Sequence, residues 1–171
     1  MFDRRTFIGG AAAAGLAGCS RKAEVTRAYL GPEITQIDVR KSSRVMYLWS
    51  DDTVVQAYWI DLGFAPAGRK RFEGDGRTPE GLYYINRRNP ASQFYLSLGI
   101  SYPNRNDVAY AKKMGRSPGG DIFIHGAGKT GWQRDKKRAG DWTAGCIAMS
   151  NDDMEQLWMM IRLGTPIAIH A

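Results

Sequence analysis

The stretch Asp141-Trp142-Thr143-Ala144-Gly145-Cys146-Ile147-Ala148-Met149-Ser150-Asn151 places a cysteine on a turn just before a helix. Gly145 allows the backbone to turn tightly and leaves N–H groups free beside the thiol. Ser150, with Asp153 three residues later, is a good N-cap for that helix. Apolar residues then recur at helical spacing, at Met154, Leu157, Trp158 and Ile161. The stretch predicts a thiol presented on a turn between an apolar run and the last helix.

A histidine closes an apolar strand upstream, in Asp121-Ile122-Phe123-Ile124-His125. A free thiol is mostly protonated at neutral pH, because its pKa is about 8.5. A nearby imidazole can take that proton, and backbone N–H groups can stabilise the oxyanion that follows. We therefore predict Cys146 as nucleophile, His125 as general base and Gly145 as an oxyanion-hole donor. No carboxylate suggests itself as a third member, so we expect the Gly126 carbonyl to orient the imidazole.

The alternative reading of these two residues is structural. A lone buried cysteine commonly behaves as a small hydrophobic residue, and a lone histidine on a strand is commonly a hydrogen-bonded core residue. A zinc site is not expected, because the chain has neither a CxxC nor an HExxH arrangement. We predict neither a metal nor a cofactor.

Outside the cysteine turn, most of the chain has a β pattern. Two runs rich in β-branched and aromatic residues flank Asp51-Asp52 and predict a hairpin over 45–60. Further strands are expected near 34–39 and at 82–85, 94–100, 121–125 and 167–169. A short helix is expected within 104–114, with Val108, Ala111 and Met114 facing inward. The sum is a mostly β domain with one or two short α-helices.

The amino-terminal segment is set apart from this domain. Arg4-Arg5 is a twin-arginine pattern, and the following small apolar run ends in Leu16-Ala17-Gly18-Cys19. We predict a twin-arginine lipoprotein-type signal over 1–19 with lipidation at Cys19, a tether over 20–33 and a catalytic domain over 34–171. A plain signal peptide and an uncleaved anchor are the alternatives. The apolar run is shorter than the roughly 20 residues of a membrane-spanning helix.

Bulk properties agree with an exported protein that meets an acidic partner. The chain has 171 residues, a net charge of +7 and two cysteines. Its size suits one domain, and its charge suits a polyanion such as an acidic wall polymer or anionic lipid. No nucleic-acid-binding motif is present, so no nucleic-acid partner is predicted. If Cys19 carries lipid, Cys146 has no disulfide partner.

Three motifs resemble the YkuD-type L,D-transpeptidase catalytic domain. Its mark is a histidine, some 14–17 residues, and then Ser/Thr-His-Gly-Cys; here His125-Gly126 precedes Thr143-Ala144-Gly145-Cys146. The segment Thr78-Pro79-Glu80-Gly81-Leu82-Tyr83 resembles the family's Thr-Pro-x-Gly-x-Phe/Tyr. The resemblance covers roughly residues 35–170. It implies a β-sandwich- or barrel-like fold and assigns Cys146 as nucleophile and His125 as general base.

The family resemblance also implies a substrate. In that family the cysteine attacks an amide of a peptidoglycan stem peptide, releases the terminal D-alanine and forms a thioester. The acyl group then passes to an amine of a second stem, to an envelope protein or to water. The resemblance therefore implies peptidoglycan stem peptides as partners and a wall-linked envelope lipoprotein as a further one. The amino-terminal signal predicts export to the periplasm and lipid anchoring to a membrane.

Two alanines depart from the family pattern. Ala144 stands where a histidine is usual, and Ala148 stands where an arginine is common. This Asp-Trp-Thr-x-Gly-Cys-Ile-Ala form resembles a subgroup that includes a peptidoglycan–lipoprotein amidase, in which the chemistry runs as hydrolysis. An L,D-transpeptidase, a hydrolase of the same fold (carboxypeptidase or amidase) and a non-catalytic wall-binding lipoprotein are therefore the three hypotheses.

Lesser candidates concern the substrate groove. Thr143, Arg77, Tyr102 and Trp142 are predicted substrate-binding residues, with structural roles as the alternative for each. For Thr143 that alternative is support of the turn. The basic segment from Lys129 to Arg138 is a candidate lid that attracts acidic stem peptides, or else a solvated loop.

Overall fold

A computed structural model describes residues 29–128 and 140–171 of the chain. These residues form one curled sheet of eight strands with two α-helices. The prediction of a mostly β domain with one or two short helices is confirmed. The strands are β1 (Gln36–Arg40), β2 (Val45–Ser50), β3 (Thr53–Trp59), β4 (Gly81–Asn89), β5 (Ser97–Ile100), β6 (Phe123–His125), β7 (Ile147–Ala148) and β8 (Pro166–His170), and the helices are α1 (Arg105–Lys113) and α2 (Asn151–Met160).

The last strand lies in the middle of the sheet. The strand order is β3-β2-β1-β8-β4-β5-β6-β7. Strand β8 runs parallel to β1 and antiparallel to β4, and its central residues Ile167, Ala168 and Ile169 are all buried. This strand joins the amino-terminal meander β1–β3 to the half of the sheet that carries β5, β6 and β7.

The predicted hairpin is confirmed, since β2 and β3 pair antiparallel around Asp51-Asp52. Strand β4 is longer than expected because it bends through an irregularity after Ile85 and continues along β5. Strand β5 is shorter than expected and begins at Ser97. Phe94 and Tyr95 instead lie in a turn, where Tyr95 has a φ of +77°.

Helix α1 buries a different face from the predicted one. Ala111 is buried as expected, but Val108 and Met114 are exposed. The other buried residue is Asp107, whose carboxylate accepts hydrogen bonds from the Asn104 N–H, the Arg69 guanidinium and the Tyr83 hydroxyl. The inward face of this helix is therefore set by a polar network, which the apolar periodicity does not reveal.

Helix α2 begins as its sequence pattern predicts but ends at Met160, one residue before Ile161, the last residue of the apolar pattern. Ser150 caps it by accepting from the Asp153 N–H at 3.0 Å. The Arg88 guanidinium lies 4.0 Å over the Trp158 ring and donates to the Trp158 and Ile161 carbonyls, which satisfies the carboxyl end of the helix. Met154 and Leu157 pack into the core below the sheet. Within residues 29–128 and 140–171, no helix has the length and apolarity needed to cross a bilayer.

Candidate active site

His125 is the last residue of β6 and is only 3% exposed. Its ring stacks on Phe94, with centroids 4.6 Å apart, and meets the edge of Trp142 at 5.7 Å. Burial lowers the pKa of His125 below its usual 6.5, and a hydrogen bond to the Gly126 carbonyl opposes part of that effect. The imidazole is therefore neutral near pH 7, which is the form that can accept a proton.

The tautomer of His125 follows from its hydrogen bond. Nδ1 lies 2.7 Å from the Gly126 carbonyl oxygen. A carbonyl can only accept, so Nδ1 carries the hydrogen and Nε2 keeps its lone pair. The Gly126 carbonyl thus holds the imidazole where the sequence analysis expected it, and Nε2 is the atom available as a base.

Cys146 lies at the end of a tight turn, directly before β7. It is partly exposed and is the one free cysteine among the described residues. Strand β7 pairs parallel with β6, in register Ile124↔Ile147 and His125↔Ala148. This register sets Cys146 level with Phe123, two residues before His125. Although 21 positions separate them in sequence, Cys146 and His125 line the same cavity.

Gly145 is required by the shape of this turn. Its φ is +137°, a value that L side chains rarely adopt. A Cβ atom at this position would lie 2.7 Å from the Arg77 carbonyl oxygen. The Gly145 N–H donates to Thr143 Oγ1 at 3.1 Å. Its predicted role as an oxyanion donor stays a prediction, and that role would require this hydrogen bond to be shared or released.

Thr143 supports the turn from inside. It is 4% exposed, and its hydroxyl donates to the Cys146 carbonyl at 2.8 Å while accepting from Gly145. Its backbone pairs with Gly63 and exchanges hydrogen bonds with Leu62 and Phe64. The structure therefore favours turn support over substrate binding for Thr143.

The Cys146 thiol is held neutral in this state. Burial raises its pKa above its usual value, and the Asp121 carboxylate adds to the rise. The Phe123 N–H and the positive charge of Lys70 act in the opposite direction but do not overcome it. The sulfur lies 3.6 Å from the Asp121 carbonyl, to which the S–H donates. The thiol and the imidazole are therefore both neutral near pH 7.

One cavity of about 510 Å³ contains both side chains. Its wall is made by the end of β4, the turn before β5, and strand β6. The lining residues are Asn89, Ala91, Ser92, Gln93, Phe94, Ser97, Asp121, Phe123, His125 and Cys146. Most of the polar lining groups are neutral amides and hydroxyls, which suit hydrogen bonding to a peptide.

Two predicted substrate residues do not reach this cavity. Tyr102 is 5% exposed, donates to the Pro118 carbonyl at 2.9 Å and packs against Tyr83, so the expectation of a groove position is not met. Arg77 touches the site through its backbone, since its carbonyl packs on Gly145. Arg77 makes this backbone contact because the loop before β4, which contains Gly76 and Arg77, runs directly behind the cysteine turn.

Trp142 and Phe94 form the aromatic surround of the imidazole. Trp142 is 39% exposed, and its ring contacts both His125 and Phe94. Trp142 therefore covers part of the His125 ring while part of its own side chain stays exposed to solvent. Phe94 was missed by sequence reasoning, which assigned it to a strand; only the tertiary structure shows it in a turn against His125.

A buried lysine was also missed. Lys70 is 3% exposed, and its ammonium donates to Asp75 at 2.8 Å and to the Phe72 carbonyl at 2.9 Å. Burial alone would raise the pKa of Asp75, but Lys70 and the N–H groups of Phe72, Arg71 and Arg77 outweigh it and the pKa is lowered. Nothing in the run Arg69-Lys70-Arg71 marks its middle residue as the buried one.

The fold and site can be compared with known proteins. The sequence profile of YkuD, the L,D-transpeptidase catalytic domain, matches residues 34–169. The chain belongs to this family. Among curated relatives, YafK of Escherichia coli K12, named as a candidate L,D-transpeptidase, is 28% identical over 97 residues. That match covers 55% of this chain and 32% of YafK, so the chain spans about a third of the length of the curated relatives it matches.

Solved structures with the same fold are longer than this chain. The helical cell shape determining protein Pgp2 of Campylobacter jejuni has a TM-score of 0.59 and 25% identity, covering 83% of this chain and 49% of Pgp2. An L,D-transpeptidase from Mycobacterium smegmatis has a TM-score of 0.54 and 15% identity, covering 82% of this chain and 60% of its own. The YkuD domain of this chain thus has the architecture of an L,D-transpeptidase catalytic domain.

Several predictions lie outside the described residues. The twin-arginine signal, the lipidation of Cys19 and most of the tether fall within residues 1–28, and the candidate lid falls within 129–139. They stay predictions.

Proposed function

We propose that the chain is a cysteine-dependent L,D-transpeptidase that acts on peptidoglycan stem peptides through a thioester on Cys146. The observation that supports this most directly is the shared cavity of about 510 Å³, which holds a partly exposed thiol and an imidazole whose Nε2 is unprotonated. Membership of the L,D-transpeptidase family supplies the reaction class.

The proposed reaction begins with proton transfer. His125 Nε2 takes the proton of the Cys146 thiol while its Nδ1–H stays on the Gly126 carbonyl. The sulfur forms a bond to the carbonyl carbon of the scissile amide, and the carbonyl electrons move to oxygen. The Cys146 N–H is the donor we assign to this oxyanion, with Gly145 as the second donor if its bond to Thr143 is shared.

The intermediate then collapses. The carbon–nitrogen bond breaks, and the departing amine of D-alanine receives the proton held by His125. A thioester between the stem peptide and Cys146 remains. In the second half the acceptor amine loses a proton to His125, attacks the thioester carbon and releases the thiol, which recovers that proton. Each half therefore uses the same base in both directions.

Hydrolysis is the second candidate, and the position of Ala148 favours it. This residue is 1% exposed and carries only a methyl group where the family commonly has an arginine. No cation at that position can hold a substrate carboxylate, so a substrate without a free carboxylate there fits better. An amidase that releases a wall-linked lipoprotein would use the same thioester with water as acceptor. An L,D-carboxypeptidase also transfers the acyl group to water, but its substrate carries the same terminal carboxylate as that of the transpeptidase, so Ala148 favours the amidase of the two.

The location and partners follow from this proposal. A wall enzyme works outside the cytoplasm, so we propose export to the periplasm through the twin-arginine signal, with lipid attachment at Cys19 and the segment 20–33 as tether. The fold similarity to Pgp2, a cell shape determining protein, supports a role in wall remodelling. A catalytically silent binding protein would not need a buried imidazole, unprotonated at Nε2, in the same cavity as a thiol.

The test compares purified protein with its Cys146→Ala variant on muropeptides and on lipoprotein-linked muropeptides, with products identified by mass. Dimers that depend on Cys146 would support transpeptidation, and tripeptide or free lipoprotein alone would support hydrolysis. The chain's two histidines provide a matched pair. We expect His125→Asn to lower the rate by about 10²- to 10⁴-fold and His170→Asn to leave it unchanged. Equal rates for wild type and Cys146→Ala would sink both enzymatic readings.

A further inference from the structure

The peptide unit that orients His125 is itself held from the other side. The carbonyl of the Gly126–Ala127 peptide accepts from His125 Nδ1 at 2.7 Å. The N–H of the same peptide donates to Asn151 Oδ1 at 2.9 Å. In a trans peptide these two groups point in opposite directions within one plane. The imidazole and the Asn151 side chain therefore lie at the two ends of a single rigid peptide group.

Asn151 makes a second bond to the same turn. Its Nδ2 donates to the Gly128 carbonyl at 2.8 Å. The carboxamide thus accepts from residue 127 and donates to residue 128, which makes a two-point contact with the backbone. On the opposite side, the Gly126 N–H donates to the Leu96 carbonyl at 3.2 Å. The turn after His125 is fixed between β5 and the start of α2.

The contact is close enough to require glycine at position 126. A Cβ atom there would lie 2.5 Å from Asn151 Oδ1 and 3.0 Å from the Phe94 carbonyl. Such distances are far inside van der Waals contact, so any side chain at 126 would push the amide away. Gly126 and Asn151 therefore form a fitted pair, although 25 positions separate them in sequence.

Only an amide of this length makes both bonds. Aspartate keeps the acceptor for the Ala127 N–H but has no donor for Gly128, and alanine has neither. Asn151 is the first residue of α2, and the Ser150 cap sets the direction in which this helix begins. Its side chain is thereby aimed at the turn by a rigid element.

From this geometry we infer that Asn151 is a positioning residue for the base, acting through the Gly126–Ala127 peptide. The inference rests on the proposed role of His125. By accepting from the Ala127 N–H, Asn151 polarises the peptide and makes the Gly126 carbonyl a stronger acceptor for Nδ1–H. It fixes the tautomer and the orientation of the ring, and it stabilises the imidazolium that forms when the thiol proton is taken. A neutral amide and a peptide group thus take the place of a carboxylate.

The test measures the tautomer of His125 directly. The side-chain ¹⁵N signals of the full-length protein are recorded for wild type, Asn151→Ala and Asn151→Asp, with His170→Asn used for assignment. We expect the Nδ1–H form in wild type and in Asn151→Asp, and a mixture of tautomers in Asn151→Ala. Turnover of muropeptides should fall about 10- to 100-fold in Asn151→Ala, mainly in kcat, and recover in Asn151→Asp to within a few-fold of wild type.

Asn104→Ala is the matched control for stability. Asn104 also makes two side-chain bonds to backbone at the start of a helix, because its Oδ1 accepts from the Asn106 and Asp107 N–H groups, and it does not line the cavity. The Asn104→Ala variant should have a lower Tm and an unchanged His125 tautomer and kcat. If Asn151→Ala keeps the Nδ1–H form and the wild-type kcat, the inference is overturned. Should Asn151→Ala fail to fold, a mixed tautomer in Asn151→Asp would overturn it instead, because that variant retains the acceptor.

The outcome is separable from that of the proposed function. Wild-type protein without any Cys146-dependent product, together with a tautomer change in Asn151→Ala, would remove the proposed function and leave the positioning role of Asn151. Full turnover in wild type, with no effect of Asn151→Ala on the tautomer or on kcat, would remove the positioning role of Asn151 and leave the proposed function.

Discussion

The two turns that meet in the cavity are held by opposite means. The nucleophile turn, residues 143–146, is fixed mainly by backbone packed on backbone, with the Thr143 hydroxyl bonded inside it. The base turn, residues 125–128, is fixed mainly by side chains placed around it. Both turns need a glycine, Gly145 in the first and Gly126 in the second. The base turn also depends on amide and aromatic groups that can be altered one at a time.

Three glycines bring the nucleophile turn into contact with the rest of the fold. A Cβ on Gly63 would lie 2.1 Å from the Gly76 carbonyl and 3.0 Å from the Gly145 Cα atom. The Phe64 N–H donates to the Thr143 carbonyl across this junction, and the Ala65 N–H donates to the Gly76 carbonyl. The turn is thus a structural element whose failure should be seen in stability as well as in activity.

The base turn has a different kind of support. Phe94 and Trp142 surround the imidazole, and Asn151 holds the backbone behind it. Loss of one of these contacts leaves the strand β6 paired with β5 and β7. Changes at this turn should therefore separate activity from stability, which changes at the other turn should not.

The largest effect is expected for Gly145→Ala. The new Cβ would require a strained φ and would meet the Arg77 carbonyl, so we expect the free energy of unfolding to fall by about 3 kcal/mol. Chemical denaturation measures this loss. Gly120→Ala is the control, because a Cβ there meets nothing within 4 Å. Equal stability of the two variants would contradict the backbone-packing account of the nucleophile turn.

Thr143→Val should have an intermediate effect. The change keeps the shape of the side chain but removes the partner of the buried Gly145 N–H and the Cys146 carbonyl. We expect a loss of about 2 kcal/mol in the free energy of unfolding, with a lower rate of acylation. Thr165→Val removes a comparable buried hydroxyl, bonded to Arg162, far from the cavity. It should lose stability and keep its activity; a parallel loss of activity there would show that Thr143 has no special relation to the site.

The smallest effect is expected for the pH dependence of the base turn. Burial lowers the pKa of His125 in the folded state below 6.5, so the unfolded chain takes up the proton first as pH falls. Stability contributed by the neutral ring is present above pH 6.5 and is lost as pH falls toward the folded pKa. The slope for one proton is at most about 1.4 kcal/mol per pH unit. Denaturation between about pH 5 and pH 7 should show this slope in wild type and a smaller one in His125→Asn.

Local sequence patterns predicted which strands and helices form better than they predicted which faces of those elements are buried. The hairpin around Asp51-Asp52 and the capped helix after Ser150 depend on neighbours in sequence, and both are present. The inward face of α1 could not be predicted in this way, because Asp107 is buried by partners from Arg69 and Tyr83. Tyr102 was expected at the groove but lies in the core, because it packs on Tyr83 and bonds to the Pro118 carbonyl, contacts that no local pattern reveals.

The features of the site also divide into those that neighbouring residues in the sequence determine and those that tertiary contacts determine. A cysteine after glycine, a histidine at the end of an apolar strand and the Thr-Pro segment upstream of both are local features. They suffice to select the two candidate reactive side chains and the family. The tertiary structure alone decided what surrounds them: that the Arg77 carbonyl closes on Gly145, that Lys70 is buried with Asp75, and that Asn151 faces the peptide behind His125. These contacts join residues far apart in the chain through sheet order and backbone approach, which no local pattern records.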